Sequence, residues 1–267
     1  MAPMDDVMSV ELEKELRRKG IKVYCDATVT EILEEEGSLS CIITPNDGSG
    51  PVKTRAGQIL MAIGRRPDVS RLLGKDISLD MEDGKIAVDS DFETSEPGVY
   101  AIGDVAARTQ LAHVAAAQGT YVVEKIAGRP HSIKLEVVPN GMFVSLPIVP
   151  NCIYTDPEIA TVGITEEIAK KYGLKLRCGH FSMRDNGKSI ITGEEHGFIR
   201  LLFEAYSNTI VGAQMMCPRA TDMIGEIATA IANGLTAQEM SFAMRAQPTY
   251  NEGIGAAIED AMRQNPV

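Results

Sequence analysis

A cluster of backbone breakers, Pro139, Gly141, Pro147 and Pro150, divides this chain into two stretches of different periodicity. Proline lacks the N–H that a helix or ladder requires, and glycine leaves the backbone unrestrained, so regular structure does not run through such a segment. A domain boundary is expected there. Ahead of it, short apolar strand patterns alternate with loops and a single alanine-rich helix. Behind it, grouped strands are followed by helices, the order of an α+β domain. The 267 residues can bury one large core or two modest ones.

Ahead of the boundary, Met8, Leu12 and Leu16 recur at helical spacing, Arg17-Arg18-Lys19 suit the negative end of that helix, and Gly20 stops it. Alternation at Ile21, Val23 and Cys25 predicts a strand, and 29–33 a second. The runs "LSCIIT" and "QILMAIG" predict two more, separated by the turn cluster Asn46-Asp47-Gly48-Ser49-Gly50-Pro51. Further strands are expected at 85–88 and 99–102, then a helix over 112–126. Behind the boundary the pattern predicts strands at 152–154, 175–181, 198–203 and 209–216. Helices are predicted at 165–172, 221–233, 236–244 and 251–262, with Thr236 and Glu239 as a capping box and Gly234 closing the preceding helix.

Charge narrows the partners. The net charge of −11 argues against nucleic acid and anionic membrane surfaces. No apolar run approaches the roughly 20 residues of a membrane span, no signal peptide opens the sequence, and the cytoplasm is the expected location. The acidic clusters Glu34-Glu35-Glu36 and Glu11/Glu13/Glu15 read as solvated faces. The five cysteines, Cys25, Cys41, Cys152, Cys178 and Cys217, form no short paired motif. They are expected to be reduced and mostly buried. The four histidines, His113, His131, His180 and His196, are scattered without a second ligand type at metal spacing, so no metal site is expected.

Candidate chemistry sits at strand ends. In "VYAIGDVA" an apolar strand ends in Gly103, which admits close approach of a ligand, and Asp104, whose carboxylate can accept from sugar or ribityl hydroxyls. Capping of the next helix is the plainer use of that carboxylate. "MAIGRRP" repeats the arrangement, a buried strand ending in Gly64 before arginines. "LAHVAAAQG" opens a helix whose N-terminus can face negative charge. Near the C-terminus, Pro248-Thr249 is followed by Glu252, a carboxylate one helical turn after a rigid turn, with Gln247 before the proline.

This ordered set resembles the pyridine nucleotide–disulfide oxidoreductase family, and within it the dihydrolipoamide dehydrogenases. The residues that carry the resemblance are Pro3-x-Asp5, Gly64-Arg65-Arg66-Pro67, Ala101-Ile102-Gly103-Asp104, Leu111-Ala112-His113, Thr155-Asp156-Pro157-Glu158 and Pro248-Thr249-x-x-Glu252. It implies an α/β fold: a partial FAD/NAD(P)-binding Rossmann-like region followed by an α+β dimerisation (interface) domain. The implied divisions are the C-terminal half of an NAD domain at 1–63, a returning FAD-domain segment at 64–146 and the interface domain at 147–267. By the same resemblance Asp104, with Gly103, holds the FAD ribitol. Gln110, Leu111, Ala112 and His113 lie against the flavin, and Gly64 and Val29 line the NAD side. A homodimer brings each C-terminal motif over the partner's flavin, and a 2-oxo-acid dehydrogenase-type complex is the further partner implied for a full-length enzyme.

The departures from the family carry equal weight. No GxGxxG occurs here, and no paired cysteines, both of which the family holds upstream of its Pro-x-Asp segment. The chain is therefore expected to be the C-terminal part of a longer enzyme, inactive alone and binding FAD weakly or not at all. Where the family places a proton-accepting His oriented by the glutamate, this chain has Gln247, which cannot change protonation near neutrality. Gln247 and Glu252 are the candidate catalytic pair. Two alternatives stand beside the dihydrolipoamide dehydrogenase-like reading: an NADH-dependent flavin reductase with a quinone or other non-thiol acceptor, and a non-catalytic dimerisation module.

Overall fold

The computed structural model describes residues 5–35, 37–74, 77–107, 109–137 and 146–264. Contacts group the chain into two compact units, residues 9–66 and residues 1–8 with 67–267.

The smaller unit holds most of α1 (Asp6–Arg18) and three strands, β1 (Ala27–Glu35), β2 (Ser38–Pro45) and β3 (Val52–Ala56), in an antiparallel meander of that order. α1 ends as its sequence predicts: Gly20 takes φ +81°, its N–H reaches Arg17 O and the Ile21 N–H reaches Leu16 O. The acidic residues of α1 are paired along the helix, Glu11 with Lys14, Glu13 with Arg17 and Glu15 with Arg18. Glu35 of β1 likewise takes Lys53 and Arg55 from β3. A bulge between Val29 and Glu31 shifts the β1–β2 register.

Two expected strands do not form in this unit. Residues 21–25 and 58–64 enter no ladder among the described residues, and Leu60 and Ile63 are 89% and 88% exposed. An apolar run becomes a buried strand only when neighbours take its N–H and C=O groups and elements cover its faces. Neither run has such neighbours, so the buried strand expected before Gly64 is corrected to an exposed extended segment. β3, too polar for a period-2 reading, was not expected and forms because β2 offers it an edge.

In the larger unit, β4 (Met81–Glu82) and β5 (Lys85–Ile86) make a short hairpin. Leu79, Ile86 and Ala101 bury together with Val69, Leu73, Val88 and Val105 around it. The strand expected at 99–102 reduces to one bridge, Tyr100 to Glu93, because nothing else offers 101–102 a ladder. A 3₁₀ turn at Gly103–Val105 follows, then α2 (Ala112–Ile126), at its predicted bounds. β6 (Glu136–Val137) pairs with β7 (Leu146–Pro147) across the expected boundary; Pro139 and Gly141 lie outside the described residues.

The remaining elements are β8 (Asn151–Ile153), β9 (Ile159–Gly163), α3 (Glu166–Lys171), β10 (Leu176–Ser182), α4 (Gly187–Thr192), β11 (Phe198–Glu204), β12 (Ile210–Met216), α5 (Ala220–Ala232), α6 (Ala237–Ser241) and α7 (Glu252–Arg263). The strands form one antiparallel sheet of order β10-β11-β12-β9-β8. One face carries Ile199, Leu201, Phe203, Ala213 and Met215, packed against Ile224, Ile227 and Ile231 of α5 and Ile254, Ala257 and Ile258 of α7. The other face buries Leu202 and Val211 under Ala169 of α3 and Ile164. Cover on both faces explains why "FIRLLFE" and "IVGAQMM" are almost continuously buried instead of alternating. The capping box of Thr236 and Glu239 is present at the start of α6, and Gly234 closes α5 at φ +63°.

All five cysteines are free thiols. Only Cys217 is buried, which pushes its thiol up to about 12. Cys25 is exposed and Cys41, Cys152 and Cys178 are half-buried, so general burial of the cysteines is corrected: Cys152 and Cys178 pack at the edges of apolar clusters, and Cys217 lies within one.

Two predictions follow from this packing. A Cβ on Gly179 in β10 would sit 1.9 Å from the Ala257 carbonyl of α7. Gly179→Ala should lower stability by about 1–3 kcal/mol or more in urea unfolding, whereas Gly187→Ala, with open space around it, should not. In the β11–β12 turn, burial opposes ionisation of Glu204, but the Ser207 and Tyr206 N–H groups hold its carboxyl below the ordinary range. A depressed folded pKa contributes stability above the unfolded pKa and loses it as pH falls through the folded value. Glu204→Gln should therefore flatten the acid limb of a stability-versus-pH curve below about pH 4.5 and leave the curve's shape near neutrality unchanged.

Candidate functional site

The first group of expected site residues gathers where the chain turns into α2. Gly103 adopts φ +69°, and its N–H donates to the buried Gln118 Oε1 at 2.8 Å, so the turn is pinned to the middle of the helix it precedes. A Cβ at Gly103 would meet Ala115 Cβ at 2.9 Å. The glycine is thus required by the close packing of the turn on α2. Asp104 is half-buried in the 3₁₀ turn, whose end is closed by the Ala106 N–H on Gly103 O at 3.0 Å. The N-cap residue Leu111 makes no side-chain cap bond to α2, and of the first-turn N–H groups that of Val114 donates to Leu111 O at 3.1 Å. Ala112 and His113 are exposed on that first turn, Gln110 and Leu111 are half-buried, and His113 Nε2 is 2.9 Å from Pro150 O. His113, Gln118, Phe92 and Ile148 are among the residues lining a cavity of about 370 Å³ beside α2.

The second group lies on the turn between α6 and α7. Gln247 and Glu252 line one open cleft of about 610 Å³, together with Asp185, Asn186, Arg245 and Glu259. The peptide bond between Gln247 and Pro248 is cis. The Glu252 carboxylate accepts from the Thr249 N–H at 2.9 Å, reaching back into the turn ahead of α7, while Thr249 Oγ1 donates to Ala246 O at 2.6 Å. Asn186 Nδ2 donates to Thr249 O at 3.0 Å. Tyr250 OH sits 2.9 Å from Thr192 Oγ1 and donates to Glu194 Oε2 at 2.5 Å; burial first, and then that carboxylate, push its phenol up. Gln247 is exposed, and among the described residues it makes no hydrogen bond to Glu252.

Gly64 and Val29 belong to the smaller unit. Gly64 takes φ +126° at the end of the exposed 58–64 segment, and Val29 is 54% exposed beside the β1 bulge. Among the described residues no group of three or more His, Cys, Asp or Glu is placed to hold a metal ion, and no helix is long and apolar enough to cross a membrane.

Two models of one family match the chain in order: pyridine nucleotide-disulphide oxidoreductase over residues 1–119, and the dimerisation domain of the same family over residues 149–258. The chain belongs to this family. The dihydrolipoyl dehydrogenases of Rhizobium etli and Geobacillus stearothermophilus are 31% and 33% identical to it, over 97% and 96% of the chain and 52% of each relative. LpdA from Mycobacterium tuberculosis superposes with a TM-score of 0.81 at 24% identity, over 97% of this chain and 53% of that one. The HOCl-induced flavoprotein disulfide reductase RclA from Escherichia coli gives 0.80 at 18%, over 96% and 55%. At those identities the two structures share the fold. The expected Rossmann-like region followed by a dimerisation domain is thus present, and the chain spans about half the length of the curated relatives it matches.

For a family member the fit to FAD is partial. Asp104 and the uncapped start of α2 offer hydroxyl acceptance and positive potential at one end of such a ligand. The sequence contains no strand–glycine loop–helix to cradle a pyrophosphate. Sequence reasoning missed the groups that hold the C-terminal turn. Arg245 stands two residues from Gln247 and was legible as a neighbour. Asn186, Tyr250's partners and Glu226, which binds Arg245 at 2.6 Å, approach only through tertiary packing.

The turn before α2 makes its own prediction. Gly103→Ala combines a left-handed φ with a clash on Ala115, and should cost about 1–3 kcal/mol in thermal or urea unfolding. Retention of full stability would show that Ala115 moves aside.

Proposed function

We propose that this chain supplies the dimer-forming, C-terminal part of a FAD- and NAD-dependent oxidoreductase of the dihydrolipoyl dehydrogenase type, and that the chain alone is a scaffold without activity. In this reading residues 1–63 are part of an NAD domain, 64–146 a returning FAD-domain segment and 147–267 the interface domain. The observation that carries it is the juxtaposition at the α6–α7 turn. Phe242 and Met244, 70% and 100% exposed, directly precede the turn whose Gln247 and Glu252 line the cleft. Large apolar side chains held in water beside a polar cleft are what a dimer contact flanking a reaction site requires.

Asp104 and the first turn of α2, from Gln110 to His113, would hold the ribityl and flavin end of FAD, and Gly64 and Val29 would face NAD. Bound flavin supplies hydride and electron transfer in such enzymes. The chain's own residues bind, orient and exclude water. Its missing glycine loop leaves the pyrophosphate without backbone N–H donors, which is why weak or absent FAD binding is expected.

Gln247 favours a second reading of the full enzyme, in which the electron acceptor is a quinone or another non-thiol compound. A general acid–base group in this position is worth about 10²–10⁴ in rate. An amide cannot carry a thiol's proton, and Glu252 is already engaged by Thr249. The Gln247 amide could orient a carbonyl acceptor by hydrogen bonding, and the two protons that a quinone takes up on reduction would come from solvent.

The test is a visible absorption spectrum of the purified chain after incubation with FAD and gel filtration, with sedimentation to give the mass. A dimer without a flavin band is expected, and Met244→Glu should shift it to monomer. A retained flavin band would overturn the inactive-scaffold reading; a monomeric chain would remove the dimer contact.

A further inference from the structure

The turn that presents Gln247 is gripped from outside its own sequence by one carboxylate. Glu226 lies on α5, remote in sequence from the turn, and each of its oxygens takes a different side of it. Arg245 Nη2 donates to Glu226 Oε1 at 2.6 Å, and Asn251 Nδ2 donates to Glu226 Oε2 at 3.2 Å. Arg245 precedes Gln247 and Asn251 follows Thr249, so the two bonds close a loop around the Gln247-Pro248-Thr249 segment. The Arg245 side chain is nine-tenths buried, with 10% exposure, and its Nη1 also reaches Ala243 O at 3.2 Å. Its stem lies along Gly255 of α7, with Cδ 3.6 Å from where a Cβ would stand. The Glu226 side chain is 35% exposed, so the pair is half-buried, and its bond to Arg245 is charge-assisted.

We propose that Glu226 is the positioning residue of this turn: by holding Arg245 and Asn251 together it fixes where residue 247 stands in the cleft, and hence its distance from Glu252. The inference rests on the reading of that cleft as a reaction site. The local bonds, Thr249 to Glu252 and Asn186 to Thr249, set the path of the backbone after Pro248. On the side that carries Gln247 the bond from Thr249 Oγ1 to Ala246 O ties the turn to itself and gives it no outside support. Glu226 supplies that support, and it does so from α5, whose own place is set by Ile224, Ile227 and Ile231 in the core. The clamp thereby ties the cleft to the most rigid part of the unit.

The experiment places a titratable reporter at the turn in the full chain. The charged groups that line the cleft are Asp185, Glu252, Glu259 and Arg245. With Arg245 neutralised by Glu226, the imidazole introduced by Gln247→His should titrate above the ordinary value of about 6.5, read by NMR. Glu226→Gln, made in that background, should return the imidazole toward its ordinary pKa by about half a unit or more. It should also speed hydrogen exchange of the Gln247-site, Thr249 and Tyr250 amides by about tenfold, leaving the amides of β11 and β12 unchanged. Asn251→Ala removes one arm only and leaves the ion pair, so if Glu226→Gln fails to fold it reports the faster exchange without the change in pKa. An unchanged imidazole pKa and unchanged exchange after either substitution would overturn the proposal. An ordinary pKa already in Gln247→His alone would sink the reading of the cleft instead, and the exchange rates would then decide the clamp.

Discussion

The C-terminal sheet and the site beside it depend on two helices lying on one face of the five strands. α5 and α7 place Ile224, Ile227, Ile231, Ile254 and Ile258 against Ile199, Leu201, Phe203 and Met215. Each such side chain contributes roughly 1.5–3 kcal/mol when fully buried. The sum exceeds any polar contact in the molecule. Glycines let the layers approach: at Gly179 the backbone carbonyl of Ala257 comes so close that no Cβ fits, and at Gly253 on α7 a Cβ would meet the side-chain ends of Ile199 and Phe181 at 2.9 and 3.1 Å.

The chemistry of the C-terminal turn is a consequence of that packing. The turn joins α6 to α7, so fixing α7 on the sheet fixes one end of it. Fixing α5 brings Glu226 to Arg245 and Asn251 at the other. Two carboxylates from two helices then determine the path of a segment with little regular structure of its own. Glu252 serves the backbone N–H of Thr249, and Glu226 serves side chains on both flanks. The side chain left exposed between them is Gln247, a group that can donate and accept hydrogen bonds and cannot move a proton near neutrality.

The smaller unit shows the opposite balance. β1, β2 and β3 pair because hairpin neighbours are adjacent in sequence, and Asp26, just ahead of β1, holds Asn46 at the start of the second turn. The 58–64 run is more apolar than any of these three strands, yet Leu60, Met61 and Ile63 stay exposed. Apolar composition makes a run suited to burial. It does not create the ladder partners that burial of a backbone requires.

The sequence by itself determined what local chemistry controls. The start and stop of α1 at Asp5–Asp6 and Gly20, the capping box of Thr236 and Glu239, the bounds of α2, and the strands β10 to β12 follow from spacing, caps and apolar periodicity within a few residues. The order of short motifs from Gly64 to Glu252 determined the family, because each marks a backbone or charge requirement at a fixed place in one fold. Tertiary structure alone decided which apolar runs became strands, since a ladder needs a partner that no run can specify for itself. It also decided that Gly103 serves the packing of a turn on Ala115, and that Glu226 reaches across to Arg245 and Asn251. Those contacts join residues far apart in the chain, and they exist only once the core has brought their elements together.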